Sequence, residues 1–396
     1  MTRPAPTPLS PDSPPVAQPA KDVVVAVAAT GLERDRFIRF QEEIYRGDPN
    51  FVPPLLMERH EFLDPARNPF FLHADVTLFL ATRGGKPVGR IAAIEDRNYN
   101  AFHGAKAAAF GLFECVDDAG VAAALLAAVR NWARWRGLTQ LVGPMSFSSN
   151  HEIGVLVEGF EEPPFVMMPY NPRYYADLLA ACGLRKAKDL YSFWRSARTA
   201  PPERFVRVTD KIKSHAGIAL RPLDMRSFEA EVDRIKGIYN SAWEKNWGFV
   251  PMTDAEFDKL ARDLKPLVRP ELCLMAEDQG EPVAFSLTVP DLNQALRRVG
   301  GRLTSFGLPL GLARLLWYQK RITKVRMLAL GIKEGWRRRG LDAVLMVETI
   351  RRTDQLGFEG GEVGWTLEDN DLINKAIEGI GARRSRVYRV FEAAVE

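Results

Sequence analysis

The chain is poor in cysteine, has no long uncharged apolar run and carries no recognisable export segment, and each shortage closes off a class of protein. Cys115, Cys182 and Cys273 are its three cysteines. Scattered, odd in number and without CxxC spacing, they offer neither a disulfide framework nor a zinc site and suit a reducing cytosol. No stretch of about 18 uncharged apolar residues occurs, so no helix is expected to span a bilayer. The N-terminus lacks the charged, apolar and small-residue order of a secretory signal. Ser-His-Asp, HExxH and P-loop patterns are missing, the histidines lie far apart, and no metal is expected.

What is present is ample apolar material and a localised basic charge. The 396 residues are 46% hydrophobic, which suits two soluble domains of roughly 150–200 residues each. Net charge is only +4, but its distribution is uneven. Between Arg297 and Arg339 lie Arg298, Arg302, Arg314, Lys320, Arg321, Lys324, Arg326, Lys333, Arg337 and Arg338, against Glu334 alone. A local field of that sign suits phosphate groups or an anionic lipid surface.

Residues 1–21 are proline-rich, hold few large apolar groups and are expected to be disordered. Residues 22–200 alternate helix and strand: helices over Glu33–Tyr45, Ala119–Arg136 and Pro172–Ala181, and strands over Thr77–Ala81, Val88–Glu95, Ala107–Cys115 and Leu141–Pro144. Residues 201–396, after Pro201-Pro202, repeat that order. Helices are expected over Arg226–Trp243, Asp254–Leu264, Leu341–Gly357 and Leu372–Glu378. Strands are expected over Leu272–Ala276, Pro282–Val289, Val325–Gly331, Glu362–Trp365 and Arg386–Glu392. The doubled pattern predicts an α/β fold of two related units around mixed sheets.

The sharpest chemical signal is an apolar strand, Val325–Gly331, delivering the turn Gly335-Trp336-Arg337-Arg338-Arg339-Gly340 onto a helix that begins Leu341-Asp342-Ala343. Helix-start N–H groups, the helix dipole and guanidinium groups together form a seat for pyrophosphate. Gly340 lets a ligand approach the backbone, and Arg makes forked bonds to phosphate. A bland reading, a surface Arg cluster beside an ordinary helix start, accounts for the same residues. Asp342 stands where a small residue would serve phosphate better; it either repels the ligand or caps the helix.

This turn resembles the acyl-CoA pyrophosphate loop of GNAT acyltransferases, with Arg337 and Gly340 matching its Arg-x-x-Gly. Trp365-Thr366-Leu367-Glu368-Asp369-Asn370 resembles the second GNAT stretch, where a strand splays open and an Asn starts the next helix; Gly381 matches the terminal Gly. Ile377 stands where the family often has a Tyr acid, and Tyr388 is the nearest substitute. The first unit's counterpart turn, Val116-Asp117-Asp118-Ala119-Gly120, is acidic and a poor seat for pyrophosphate.

From about Phe37 to Phe391 the chain resembles a bacterial tandem-GNAT family containing ceramide-synthase-type acyltransferases. The matching blocks include Asn68-Pro69-Phe70-Phe71, Gly143-Pro144 through Glu152, Tyr170-Asn171-Pro172 and Asn246-Trp247-Gly248-Phe249. The resemblance implies two GNAT-like domains in tandem, acyl-CoA as co-substrate in the second, and N-acylation of a sphingoid-like, long-chain amine. It also implies that backbone N–H groups at Leu328 and Leu330 polarise the thioester carbonyl.

The amine must lose a proton from an ammonium of pKa about 10.4, so a carboxylate or a water chain is expected nearby. Glu368 is the first candidate; a helix-start carboxylate favoured by the dipole is its plainer role. Asn370, Glu152 and Glu244 are further candidates for the chemistry. Asn150, Tyr170, Asn171, Asn246 and Trp247 are candidates for the acceptor wall, with capping or core packing as the alternative for each.

Leu303, Phe306, Leu308, Leu310, Leu312, Leu315, Leu316, Trp317 and Tyr318, interrupted by Gly307, Pro309 and Gly311, either pack on their own core or lie in a membrane interface. Expected partners are therefore a long-chain acyl-CoA, a lipid-like amine and an anionic membrane surface. The expected location is the cytoplasm, with peripheral attachment at the inner face of the membrane. An N-acyltransferase for a soluble amine or peptide, a transferase using aminoacyl-tRNA, and a non-catalytic CoA- or membrane-binding module are the competing classes. Arg337 to Gly340 speak against the RNA reading, and nucleic acid is not expected.

Overall fold

The computed structural model describes residues 16–215, 217–304 and 308–395. In chain order it begins with β1 (Val23–Val27), α1 (Gly31–Ile44), α2 (Leu56–Phe62), β2 (Ala74–Arg83), β3 (Lys86–Asp96), α3 (Arg97–His103), β4 (Ala107–Cys115) and α4 (Ala119–Trp135). There follow β5 (Gln140–Gly143), β6 (Val155–Glu158), α5 (Tyr175–Ala181) and β7 (Arg185–Ser196). Thr30 and Glu33 form a reciprocal capping box that fixes where α1 starts. Strands β1 to β4 pair antiparallel in succession, and β5 then runs parallel to β4. On one face α4 buries Val121, Leu125 and Val129 against Ile91, Phe110 and Leu141. On the other, α1 buries Phe37 and Ile38 with Ala92, Ile94 and Phe147. A sheet coated on both faces is how an α/β unit hides both sides of its strands.

The second set is α6 (Glu203–His215), β8 (Ile218–Pro222), α7 (Phe228–Trp243), α8 (Asp254–Leu264), β9 (Cys273–Asp278), β10 (Glu281–Pro290), α9 (Asn293–Val299) and α10 (Leu310–Gln319). It continues with β11 (Lys324–Ile332), α11 (Leu341–Gln355), β12 (Gly360–Leu367), α12 (Asp371–Gly379) and β13 (Arg383–Ala394). Its sheet runs β12-β11-β10-β9-β8, with β7 beside β12. Leu341 and Leu345 of α11 pack on Leu274, Ala276 and Ala284, while Met346 and Ile350 meet Phe193, Ile377 and Ile380. Ile238 of α7 packs on the opposite face with Met275 and Phe285.

The chain divides into two compact units, one running to Leu190 and taking back Gly300–Arg302 and the residues from Val387 onward, the other Tyr191–Val299 and Leu303–Arg386. The division thus falls inside β7 rather than at Pro201-Pro202, which lies between β7 and α6. A local sequence reading sees the proline break but not that the end of β13 hydrogen-bonds to β5 and β6 of the first unit. Residues 1–15 of the proline-rich tail lie outside the described residues. Residues 16–21, expected to be disordered, are instead tied down: the Ala17 N–H donates to the Ala181 carbonyl at 2.8 Å and that of Ala20 to Gly120 at 3.1 Å.

Candidate active site

In the second unit the site grows from one irregularity in β11. The β10–β11 ladder shifts between Leu287–Ala329 and Thr288–Met327, leaving Leu328 as an extra, bulged residue. The parallel ladder of β11 with β12 runs from Lys324–Gly360 to Met327–Val363 and ends there. Leu328 and Leu330 therefore lie beyond the last rung, on a strand edge that has parted from its neighbour. Backbone donors at such an edge can serve a ligand carbonyl.

Beneath that point sits a charge cluster that periodicity did not reveal. The Arg386 guanidinium donates to the Glu362 carboxylate at 2.6 Å; that of Arg326 donates to the Gly364 carbonyl at 3.1 Å and stands 3.7 Å from Glu362. All three side chains are buried. The available signal was a charge, Arg326 and Glu362, inside each of two mainly apolar strands; in β13 Arg386 stands among other arginines and gave none. A buried group of this kind fixes geometry more than it adds stability.

Past β11 the chain makes a tight turn and enters α11 at Gly340, whose backbone is left-handed (φ 79°). Gly340 has no side-chain oxygen, so the first-turn N–H groups of Leu341, Asp342 and Ala343 have no capping acceptor from it. A Cβ at position 340 would stand 2.5 Å from Cδ1 of Ile212 on α6. Leu341 is buried and helps anchor the turn. Asp342 lies in the first turn of α11 and does not cap it.

The three arginines of the turn diverge. Arg337, expected to face pyrophosphate, directs its guanidinium at main-chain carbonyls of α7, Ala242 at 2.8 Å and Ser241 at 3.1 Å. The loop motif specifies backbone shape, and the α7 C-terminus offers unpaired carbonyls that take this donor fork. Arg338, also left-handed (φ 61°), and Arg339 are exposed, the latter over the Trp336 ring at 4.4 Å.

Around the same turn, Lys245 pairs with Glu334 at 2.6 Å, so the loop after α7 lies beside the turn after β11. That loop carries Glu244, exposed at the α7 C-cap, together with half-buried Asn246 and Trp247. Glu368 is half-buried in the turn between β12 and α12, and Asn370 caps α12 by accepting from the Ile373 N–H. Ile377 is plain core, packed with Phe193 and Met346.

The remaining sequence candidates fall in the first unit. Tyr388, the substitute for the family's Tyr acid, is 0% exposed in β13 and does not present its hydroxyl at a surface. Asn171, a candidate for substrate contact or helix capping, does neither: its amide clamps the β6 backbone, accepting from the Leu156 N–H at 2.6 Å and donating to the Leu156 carbonyl at 3.2 Å. Tyr170 donates to Asp48 at 2.8 Å, and burial with that carboxylate pushes its hydroxyl up to about 12. Glu152 folds back on Ser146, accepting from its hydroxyl at 3.4 Å, and Asn150 lies in the same loop, its N–H donating to Ser148.

The first unit repeats the bulge and the parting strands, but its own chain fills the space. The β3–β4 register shifts between Arg90–Glu114 and Ala92–Gly111, with Leu112 left-handed, and the β4–β5 ladder ends at Ala109–Val142. The Met145 N–H then donates to the Phe110 carbonyl at 2.8 Å. The Met145 carbonyl lies where Gly111 must lack a side chain, 1.5 Å from a Cβ placed there. The following helix, α4, is capped by Asp118, which accepts from the Gly120 and Val121 N–H groups and pairs with Arg83 at 2.8 Å.

Among the described residues no group of three or more His, Cys, Asp or Glu is arranged to hold a metal ion. No protein-family model matches the chain. Two curated relatives span nearly its whole length. "Bacterial ceramide synthase" of Caulobacter vibrioides (strain NA1000 / CB15N) is 36% identical over 381 residues, covering 94% of this chain and 98% of that one. "Protein YghO" of Escherichia coli (strain K12) is 33% identical over 367 residues, covering 91% and 92%. Solved structures agree on the fold. A tandem GNAT protein from the clavulanic acid biosynthesis pathway has a TM-score of 0.53 at 13% identity, covering 94% of this chain and 99% of that one. A GCN5-related N-acetyltransferase from Sphaerobacter thermophilus has 0.51 at 12%, covering 96% and 98%. The chain belongs to the family of tandem GNAT-fold acyltransferases that includes bacterial ceramide synthase.

Proposed function

We propose that the chain transfers an acyl group from a long-chain acyl-CoA to the nitrogen of a long-chain, sphingoid-like amine. In this reading the second unit, Tyr191–Val299 with Leu303–Arg386, holds the co-substrate, and the first unit holds none. The observation that carries it is the start of α11: first-turn donors without a capping side chain, beside a strand that has parted from its neighbour. Pyrophosphate would take the N–H groups of Leu341, Asp342 and Ala343, with Arg338 and Arg339 as exposed cations at its edge. Arg337 acts as a positioning residue, holding the turn to α7.

The thioester carbonyl would accept from a backbone N–H at Leu328 or Leu330. Glu368 takes a proton from the ammonium, the amine nitrogen bonds to the carbonyl carbon, and the carbon–sulfur bond breaks. The thiolate then receives a proton, so amide and free CoA leave in equal amount. Asn246 and Trp247, on the loop beside the pyrophosphate turn, would line the acceptor. The preference for a lipid amine rests on the relative named bacterial ceramide synthase, which spans nearly the same length.

The test is to incubate the purified chain with palmitoyl-CoA and a panel of amines: sphingoid bases, a polyamine and a peptide. Free thiol and a new amide, both resolved by mass spectrometry, should form with the sphingoid bases. Turnover confined to the polyamine or peptide would overturn the acceptor class. Binding of palmitoyl-CoA with no turnover on any amine would overturn the reaction.

A further inference from the structure

The apolar segment before β11 has a face that covers nothing. Leu308 is 56% exposed, Leu310 45%, Leu312 41%, Leu316 53% and Trp317 60%; Phe306 and Gly307 lie outside the described residues. The core-packing reading of this stripe is thus wrong for most of its large side chains. At about 100° per residue, Leu310, Leu312, Ala313, Leu316 and Trp317 share one half of α10. Gly311 is buried and Leu315 and Tyr318 are half-buried on the other half, and α9 packs against α10. Apolar side chains scattered singly over a surface need no explanation, but a contiguous face on one helix does.

Arg314, at the border of that half, and Lys320 and Arg321, just past the end of α10, are all exposed, and the Arg321 guanidinium stacks over the Trp317 ring at 3.9 Å. Arg297 and Arg298, exposed in the last turn of α9, add to that charge. No Asp or Glu occurs from position 297 to 333. Leu and Trp side chains flanked by long cations, with no acid among them, match the depth profile of a bilayer surface. The rings and aliphatic groups enter the acyl boundary, and the cations reach back to phosphate. A helix of this length lies in the interface rather than crossing it, and among the described residues no helix is long and apolar enough to cross.

We infer that the outward face of α10, with its flanking arginines and lysine, docks the protein onto an anionic phospholipid bilayer. This goes beyond the acyl-transfer reading and does not depend on it, since it concerns a surface and not a reaction.

The experiment is flotation of the full chain with phosphatidylcholine vesicles prepared with and without phosphatidylglycerol. The protein should float with the anionic vesicles, with binding that falls steeply as salt rises. Leu316→Ser with Trp317→Ser should weaken binding at least about tenfold. Arg314→Gln, Lys320→Gln and Arg321→Gln together should weaken it about a hundredfold, at roughly fivefold per cation. Both variants change exposed residues, so their melting temperatures should match that of the parent, which controls for folding. Absence of flotation with either vesicle, or variants that float as well as the parent, would overturn the inference. So would sedimentation showing that α10 is covered by a second copy which the Leu316/Trp317 variant releases. None of these results bears on amide formation from soluble substrate.

Discussion

The helix that follows the bulged strand starts in opposite ways in the two units. In the first unit, α4 opens on Asp118, whose carboxylate takes the first-turn N–H groups and pairs with Arg83. In the second, α11 opens on Gly340, which offers those groups nothing. The gap between strands differs in the same sense: Met145 closes it in the first unit, whereas the β11–β12 ladder simply ends at Met327–Val363. One backbone plan thus serves two purposes. Where the chain supplies its own anion and its own carbonyl, the plan is structural; where it supplies neither, our proposal puts a ligand. A helix N-terminus needs negative charge from somewhere, and the identity of one N-cap residue decides whether that charge is built in.

Five variants break or sharpen this contrast. Glu368→Gln removes the proposed base from the second unit and should lower kcat about a hundredfold or more, with a shifted pH–rate profile; an unchanged profile would remove Glu368 from the chemistry. Gly340→Asp makes the second helix start resemble the first. It should weaken palmitoyl-CoA binding about a hundredfold by calorimetry, about 3 kcal/mol, and by more than Gly340→Ala, which brings the same left-handed strain and the same Cβ 2.5 Å from Ile212 without the carboxylate.

Arg337→Met should cost about 2 kcal/mol of stability in a denaturant titration, since two carbonyls of α7 lose their donor. Arg338→Gln with Arg339→Gln should instead leave stability within about 0.5 kcal/mol and reduce only acyl-CoA affinity. Asp118→Ala should cost about 1 kcal/mol from the lost cap. Arg83 and then the helix N–H groups hold the Asp118 carboxyl below its usual range. Its contribution is therefore present above the unfolded value of about 3.9 and lost as pH falls through the lowered folded value. The melting difference between parent and Asp118→Ala should be full at pH 7 and shrink on acidification toward that range.

Much of this was legible in the sequence because several signals coincided. An apolar strand, a Gly- and Arg-rich turn and an amphipathic helix at residues 325–355 were each legible and stand as β11, the turn to Gly340 and α11; two acids at Asp117-Asp118 marked the first unit's corner as unlike it. Periodicity failed where charge masks it: β7, which begins Arg185-Lys186-Ala187-Lys188, is missing from the expected strands. Side-chain direction was illegible as well. Arg337 fits the loop pattern yet faces α7, Asn171 precedes a proline yet clamps β6, and Tyr388 is sealed in β13. Nor does a stripe of leucines say whether it faces a core or open water; in α10 Leu310, Leu312 and Leu316 face out.

The central claim, that one helix start of the pair receives pyrophosphate and the other does not, is tested most directly by amide hydrogen exchange with and without palmitoyl-CoA. Binding should slow exchange across Leu341–Leu345 at the start of α11 and leave Gly120–Ala124 at the start of α4 unchanged. Protection at α4, or binding that leaves both helix starts unprotected, would contradict it.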